Sequence, residues 1–153
     1  MIIKKSFFQL MLALIFSLTL SWSAIADKLK VVSTFSILGD MIKNIGGENI
    51  ELTTLVGPNG DAHVYEPKPS DAKALSVANV VFINGLGFEG WINRLVKSSG
   101  YKGKIITATK GVNKLEVGGE IDPHAWQDLS NGQIYINNIK NALIEADPKN
   151  ATI

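Results

Sequence analysis

Apolar and polar positions divide the chain into two unlike parts. Residues 1–26 (MIIKKSFFQLMLALIFSLTLSWSAIA) place Lys4 and Lys5 ahead of an apolar stretch, Leu10 to Leu20, interrupted by Ser17 and Thr19. Ala24-Ile25-Ala26 then supplies the small-x-small pattern behind which signal peptidase cuts. The run is shorter than the ~20 residues that span a bilayer, and no stop-transfer charge cluster follows it. The pattern predicts a cleaved secretory signal over 1–26 rather than a membrane anchor, and a mature chain that begins at Asp27.

From there the period of the pattern alternates. Leu29 to Phe35 (LKVVSTF) reads as a strand. Ser36 to Ile45 sets Ile37, Leu38, Met41, Ile42 and Ile45 at one-face helical spacing, with Ser36 as the expected cap and Gly46-Gly47 as the stop. A second strand, Ile50 to Val56, runs into the turn-rich loop GPNGDAHVYEPKP. Ser70 is the expected cap of a short helix reaching about Ala78, and Val80 to Asn84 is a third strand. Trp91, Ile92, Leu95 and Val96 form the buried stripe of a helix ending before Gly100, followed by a strand at Lys104 to Thr107. Ser130 is the expected cap of a last helix with Ile136, Ile139, Leu143 and Ala146 on one face, stopped by Asp147-Pro148.

Strands separated by single helices, with no hairpin signal between them, imply right-handed crossovers. The expected fold over 27–153 is therefore α/β: a doubly wound, mainly parallel four-stranded sheet with flanking helices. Such sheets bind ligands beyond the carboxyl ends of their strands.

Composition changes the picture in two places. The 153 residues hold 15 basic and 14 acidic side chains, which excludes a strongly basic nucleic-acid binder. Mean hydropathy is +0.15, and the secretory segment accounts for much of it. No cysteine is present, which excludes a disulfide scaffold, a thiolate zinc site, an iron–sulfur cluster and a cysteine nucleophile. It also leaves the expected mature chain no thiol for lipid attachment, so a soluble periplasmic location is expected.

Both histidines fall on loops that follow strands, His63 within Gly60-Asp61-Ala62-His63-Val64-Tyr65-Glu66-Pro67 and His124 within Ile121-Asp122-Pro123-His124-Ala125-Trp126-Gln127-Asp128. Neutral imidazole is the commonest protein metal ligand and needs a partner on its second nitrogen. Asp61, Glu66, Asp122 and Asp128 are the carboxylates available to orient the rings or to supplement them. The competing reading is two solvated loop histidines. Two nitrogens do not complete a zinc or manganese site, so further donors would come from another lobe, another chain or solvent.

Weaker features lead elsewhere. Gly85-Leu86-Gly87-Phe88-Glu89-Gly90 fits G-x-G-x-x-G, but no carboxylate follows some 20 residues on, at Thr107 to Lys110. It reads as a tight strand-to-helix turn, and no nucleotide is expected. Ser33 and Thr34 end the first strand, where they can touch a ligand. Trp91 and Trp126 read as packing residues. No Ser–His–Asp order is recognisable.

The segments Gly60-Asp61-Ala62-His63-Val64-Tyr65-Glu66-Pro67-Lys68-Pro69-Ser70-Asp71, Asn84-Gly85-Leu86-Gly87-Phe88-Glu89-Gly90-Trp91 and Asp122-Pro123-His124-Ala125-Trp126 resemble the TroA-like metal-binding proteins of zinc and manganese ABC importers. The resemblance runs through the whole expected mature chain. It implies two α/β lobes joined by a long helix, with one Zn²⁺ or Mn²⁺ bound between them as transported ligand. His63 and His124 match the two ligands of the N-terminal lobe. It further implies a monomer that docks on an ABC permease in the inner membrane, without catalysis and without nucleic acid. Against that pattern the chain stops near the start of the connecting helix, so the expectation is an N-terminal lobe without its C-terminal partner. It also lacks a histidine-rich loop between Gly111 and Ile121. The alternatives are a metal-dependent hydrolase using the same histidines, and an adhesion or interaction protein.

Overall fold

Leu29–Phe35, Ile50–Val56, Val80–Ile83 and Lys104–Thr107 form strands β1 to β4, each rich in the β-branched residues that pack well on a pleated surface. The structure is a computed structural model and describes residues 27–151; the expected secretory segment lies outside them. Every pairing among these four strands is parallel, and their order is β2-β1-β3-β4. The chain steps outward from β1 to β2, then crosses back to β3 and β4. That is the expected doubly wound topology. Its direction reverses between β1 and β3, which opens a crevice at their carboxyl ends.

Helices cover both faces. Helix α1 (Ser36–Gly46) packs against α4 (Leu129–Ala146), while α2 (Pro69–Ser76) packs against α3 (Ile92–Ser99). Right-handed crossovers place these pairs on opposite sides of the sheet, because β1-to-β2 and β2-to-β3 run in opposite directions. Val31, Val32, Val80, Val81 and Phe82 are consequently buried to 2% exposure or less. No helix among the described residues is long and apolar enough to cross a membrane.

Element positions follow the pattern closely, but the helix caps do not. None of Ser36, Ser70 and Ser130 is a cap. Phe35 takes the N-cap position of α1 without a side-chain capping bond. At α2 the Asp71 Oδ2 accepts the N–H of Lys68 at 2.7 Å. At α4 the Asp128 Oδ1 accepts the N–H groups of Ser130 (2.7 Å) and Asn131 (3.0 Å). At the latter two ends a charged acceptor binds N–H more strongly than a hydroxyl and also answers the helix dipole.

The buried face of α4 is also corrected. Ile139 and Leu143 point inward as expected, whereas Ile136 is 47% exposed and Ala146 is exposed. Asn131, Tyr135 and Ala142 complete the stripe. Apolarity alone misses it because two of its members, Asn131 and Tyr135, are polar and are buried with hydrogen-bond partners of their own, Asn113 and Asn84.

A second correction lies between β4 and α4. Leu115–Val117 (β5) and Glu120–Asp122 (β6) pair antiparallel as a small hairpin, which the sequence reading omits. Gly118 and Gly119 form its turn at φ 64° and 86°, the left-handed geometry a two-residue hairpin turn demands. The hairpin carries the chain outward and returns it at Asp122, one step before Pro123-His124.

Candidate metal site

His63 sits on the loop between β2 and α2. Asp61 Oδ1 accepts the His63 backbone N–H at 2.8 Å, the local turn that Asp favours. Trp91, 2% exposed at the start of α3, donates its Nε1–H to the Ala62 carbonyl at 2.7 Å. Its ring also meets the edge of Tyr65, whose hydroxyl donates to Asp71 Oδ2 at 2.8 Å. Burial, then the hydrogen bond and charge of Asp71, push the Tyr65 hydroxyl up to about 12. Trp91 is thus a packing residue, as expected, and also the anchor of the loop beside His63.

His124 sits on the loop between β6 and α4. Asp122 Oδ1 accepts both the His124 backbone N–H (2.9 Å) and its ring Nδ1–H (2.6 Å). The backbone N–H first, then the ring, hold the Asp122 carboxyl below its ordinary range, so it stays charged. A carboxylate only accepts, so it places the imidazole proton on Nδ1 and leaves the lone pair of the neutral ring on Nε2.

The two Nε2 atoms lie 3.2 Å apart. Two nitrogens on one tetrahedral zinc, each about 2.0–2.1 Å from the ion, are separated by roughly 3.3–3.4 Å. The pair therefore has the spacing of two ligands to one ion. Residues 61 sequence positions apart meet there, His63 on the loop that follows β2 and His124 on the loop that follows the β5–β6 hairpin.

Beneath them is an aromatic floor built on the crevice between β1 and β3. Phe88, 5% exposed, presents its ring edge-on to His63 (centroids 4.5 Å) and to His124 (5.8 Å). Phe35, the last residue of β1, and Trp126 pack on Phe88 at 4.9 and 5.1 Å. An apolar shell of this kind limits water around a metal site. In the sequence Phe88 is one residue of a glycine turn, and no spacing rule places it under both histidines.

The remaining candidates separate. Asp122 joins the site, and Asp61 turns its carboxylate to the loop backbone. Asp128 is engaged at the α4 N-terminus, where the N–H groups of Asn131 and Ser130 hold its carboxyl below the usual range. Glu66 is exposed. Among the described residues no group of three or more His, Cys, Asp or Glu is placed to hold a metal. Ser33 and Thr34 are wholly buried, and their hydroxyls are engaged in donating to Phe35 O (3.0 Å) and Glu89 Oε1 (2.6 Å).

The glycine turn is tight, as expected. Gly85, Leu86 and Gly87 all have positive φ, and a Cβ on Gly85 would collide with Thr107. Glu89, itself buried, accepts the N–H groups of Asn84 (2.6 Å) and Gly85 (3.1 Å). The N–H groups that open the turn are therefore already bonded to a carboxylate.

An open groove of about 440 Å³, lined in part by Asn113, Lys114, Asp122, His124 and Asn131, leads solvent to one side of the pair. A mostly apolar groove of about 300 Å³ between the ends of α1 and α4 lies at the opposite edge of the sheet, by Leu29 and Ile50, remote from the histidines.

Residues 31–153 match the family model described as "Zinc-uptake complex component A periplasmic". The chain belongs to this family. It is 42% identical over 128 residues to the manganese-binding lipoprotein MntA of Halalkalibacterium halodurans, covering 83% of this chain and 43% of that protein. It is 43% identical over 136 residues to the manganese ABC transporter substrate-binding lipoprotein PsaA of Streptococcus pneumoniae, covering 82% and 44%. Among solved structures, a Mn-bound periplasmic metal binding protein from Candidatus Liberibacter asiaticus superposes with a TM-score of 0.74 at 39% identity, covering 82% of this chain and 48% of that one. The chain thus spans about half the length of the curated relatives it matches.

Proposed function

We propose that residues 27–153 are the N-terminal, metal-gripping lobe of a substrate-binding component of an ABC importer, taking Zn²⁺ or Mn²⁺ as cargo. The single observation that carries this reading is the 3.2 Å approach of the two Nε2 atoms, with Asp122 behind His124. His63 and His124 ligate the ion, and Asp122 orients and enriches the second imidazole. The remaining coordination positions are filled by donors outside the described residues or by water. Those donors select the metal: imidazole suits zinc, and added carboxylates favour manganese. The family description and the relatives' names support a role in metal import, and with it a membrane permease as partner. The family description also supports a periplasmic place of work. The lobe binds and releases its cargo without chemical turnover.

Isothermal calorimetry with Zn²⁺ and with Mn²⁺, on this chain and on its His63→Ala/His124→Ala variant, tests the assignment. One ion per chain bound by the parent and lost in the double variant is the expected result. Equal binding by both proteins overturns it. Metal-dependent hydrolysis of an ester or phosphoester that disappears with His124→Ala would instead establish an enzyme.

A further inference from the structure

Asn84 follows β3 at its carboxyl end and is wholly buried, and every polar atom it owns is engaged. Its N–H donates to Glu89 Oε1 at 2.6 Å, and its carbonyl accepts from Thr109 Oγ1 at 2.6 Å. The side-chain amide donates from Nδ2 to the carbonyls of Pro123 (2.9 Å) and Gly85 (3.1 Å). Tyr135 of α4, also wholly buried, donates its hydroxyl to Asn84 Oδ1 at 2.6 Å. Two carbonyls at one end can be served only by an NH₂ group, so the amide has one possible orientation. Tyr135 fixes that orientation from the other end. Desolvation pushes the Tyr135 hydroxyl above its ordinary range and keeps it a donor.

Pro123 is the residue immediately before His124. Its ring fixes φ, so holding its carbonyl fixes the peptide plane from which His124 departs. This is a line of three hydrogen-bonded residues from the longest helix of the fold to one of the two histidines. It ends on His124, while the His63 loop has an anchor of its own in Trp91.

We propose that Asn84 is a positioning residue for the His124 ligand, locked in place by Tyr135, so that the seating of α4 is felt at one metal ligand. The proposal rests on the reading of His63 and His124 as a metal pair. Outer partners of this sort are worth about 10–100-fold in metal affinity.

Asn84→Ala and Tyr135→Phe in the full chain test it, with Leu75→Ala, a wholly buried α2 core residue, as a control for lost stability. The chain has two histidines, so ¹⁵N ring spectra resolve them one against the other. Asn84→Ala should shift the His124 ring signals of the metal-free protein more than those of His63, whose ring lies against it, and weaken zinc about 10-fold or more. Tyr135→Phe should give the same selective shift and a loss of about threefold. Leu75→Ala should lower the Tm and leave both affinity and ring signals unchanged. A folded Asn84→Ala protein with parental zinc affinity, or one whose two histidines move equally, overturns the proposal. If Asn84→Ala does not fold, unchanged affinity and spectra in Tyr135→Phe overturn it alone. Failure of the underlying metal reading looks different: zinc binding would survive His63→Ala/His124→Ala, while the metal-free ring spectra still report whether Asn84 holds His124.

Discussion

His63 and His124 face one another at the same spacing but are prepared differently. Asp122 bonds the His124 ring at 2.6 Å and sets its tautomer, while Asp61 gives its oxygen to the His63 backbone. Both loops have the sequence order Asp-x-His, so the sequence presents them as equivalents. Rotation of the side chain about its own turn decides which acceptor meets the ring, and that depends on neighbours the local sequence does not contain. The inequality makes a prediction. Asp122→Asn keeps the size of the side chain but removes the charge that fixes Nδ1–H, and should weaken zinc about 10–100-fold by calorimetry. Asp61→Asn should weaken it less, since an amide oxygen still accepts the His63 N–H. Equal losses would mean that both carboxylates act only on loop conformation.

At the scale of elements, strands and helices are legible because apolar period and burial agree. LKVVSTF and IELTTLV are strands over the limits their composition suggests. The ends of helices are less legible, since several nearby residues can cap and geometry picks one. Asp128 wins over Ser130 at α4. Asp128→Ala should therefore lower the Tm by several degrees in a thermal melt, while Ser130→Ala leaves it nearly unchanged. The pH dependence has a definite sign. A carboxyl held low in the folded state stabilises it at pH above the ordinary carboxylate range, and that contribution is lost as pH falls through the folded value. The Tm gap between parent and Asp128→Ala should be full at neutral pH and close on acidification below about pH 4. The hairpin was likewise readable in principle, since Val117-Gly118-Gly119-Glu120 is a two-glycine turn between short extended runs. Strand–helix alternation dominates the pattern and hides it.

At the scale of the whole molecule, the sheet brings together what the sequence keeps apart. Loops from β2 and from beyond β4 close over the crevice between β1 and β3, and Phe35, at the end of β1, and Phe88, from the turn after β3, fill it. A ligand that bridges the two loops should stabilise the lobe as a unit. At a free zinc concentration 100 times the dissociation constant, mass action adds about 2.7 kcal/mol. A thermal melt of this chain should accordingly shift upward with zinc and return on chelation, and the His63→Ala/His124→Ala protein should show no shift. The sequence by itself determined the α/β alternation, the parallel doubly wound sheet and the place of both histidines on loops that follow strands. Those follow from periodicity and residue type, which are local. Tertiary structure alone decided which carboxylate serves a histidine and which caps a helix. It also decided that Phe88 lies under both rings, and that Asn84 ties Tyr135 to Pro123. The first two are settled by side-chain geometry between residues two or three positions apart, and the last two by atoms tens of residues apart meeting within a few ångströms; a pattern of residue types records neither.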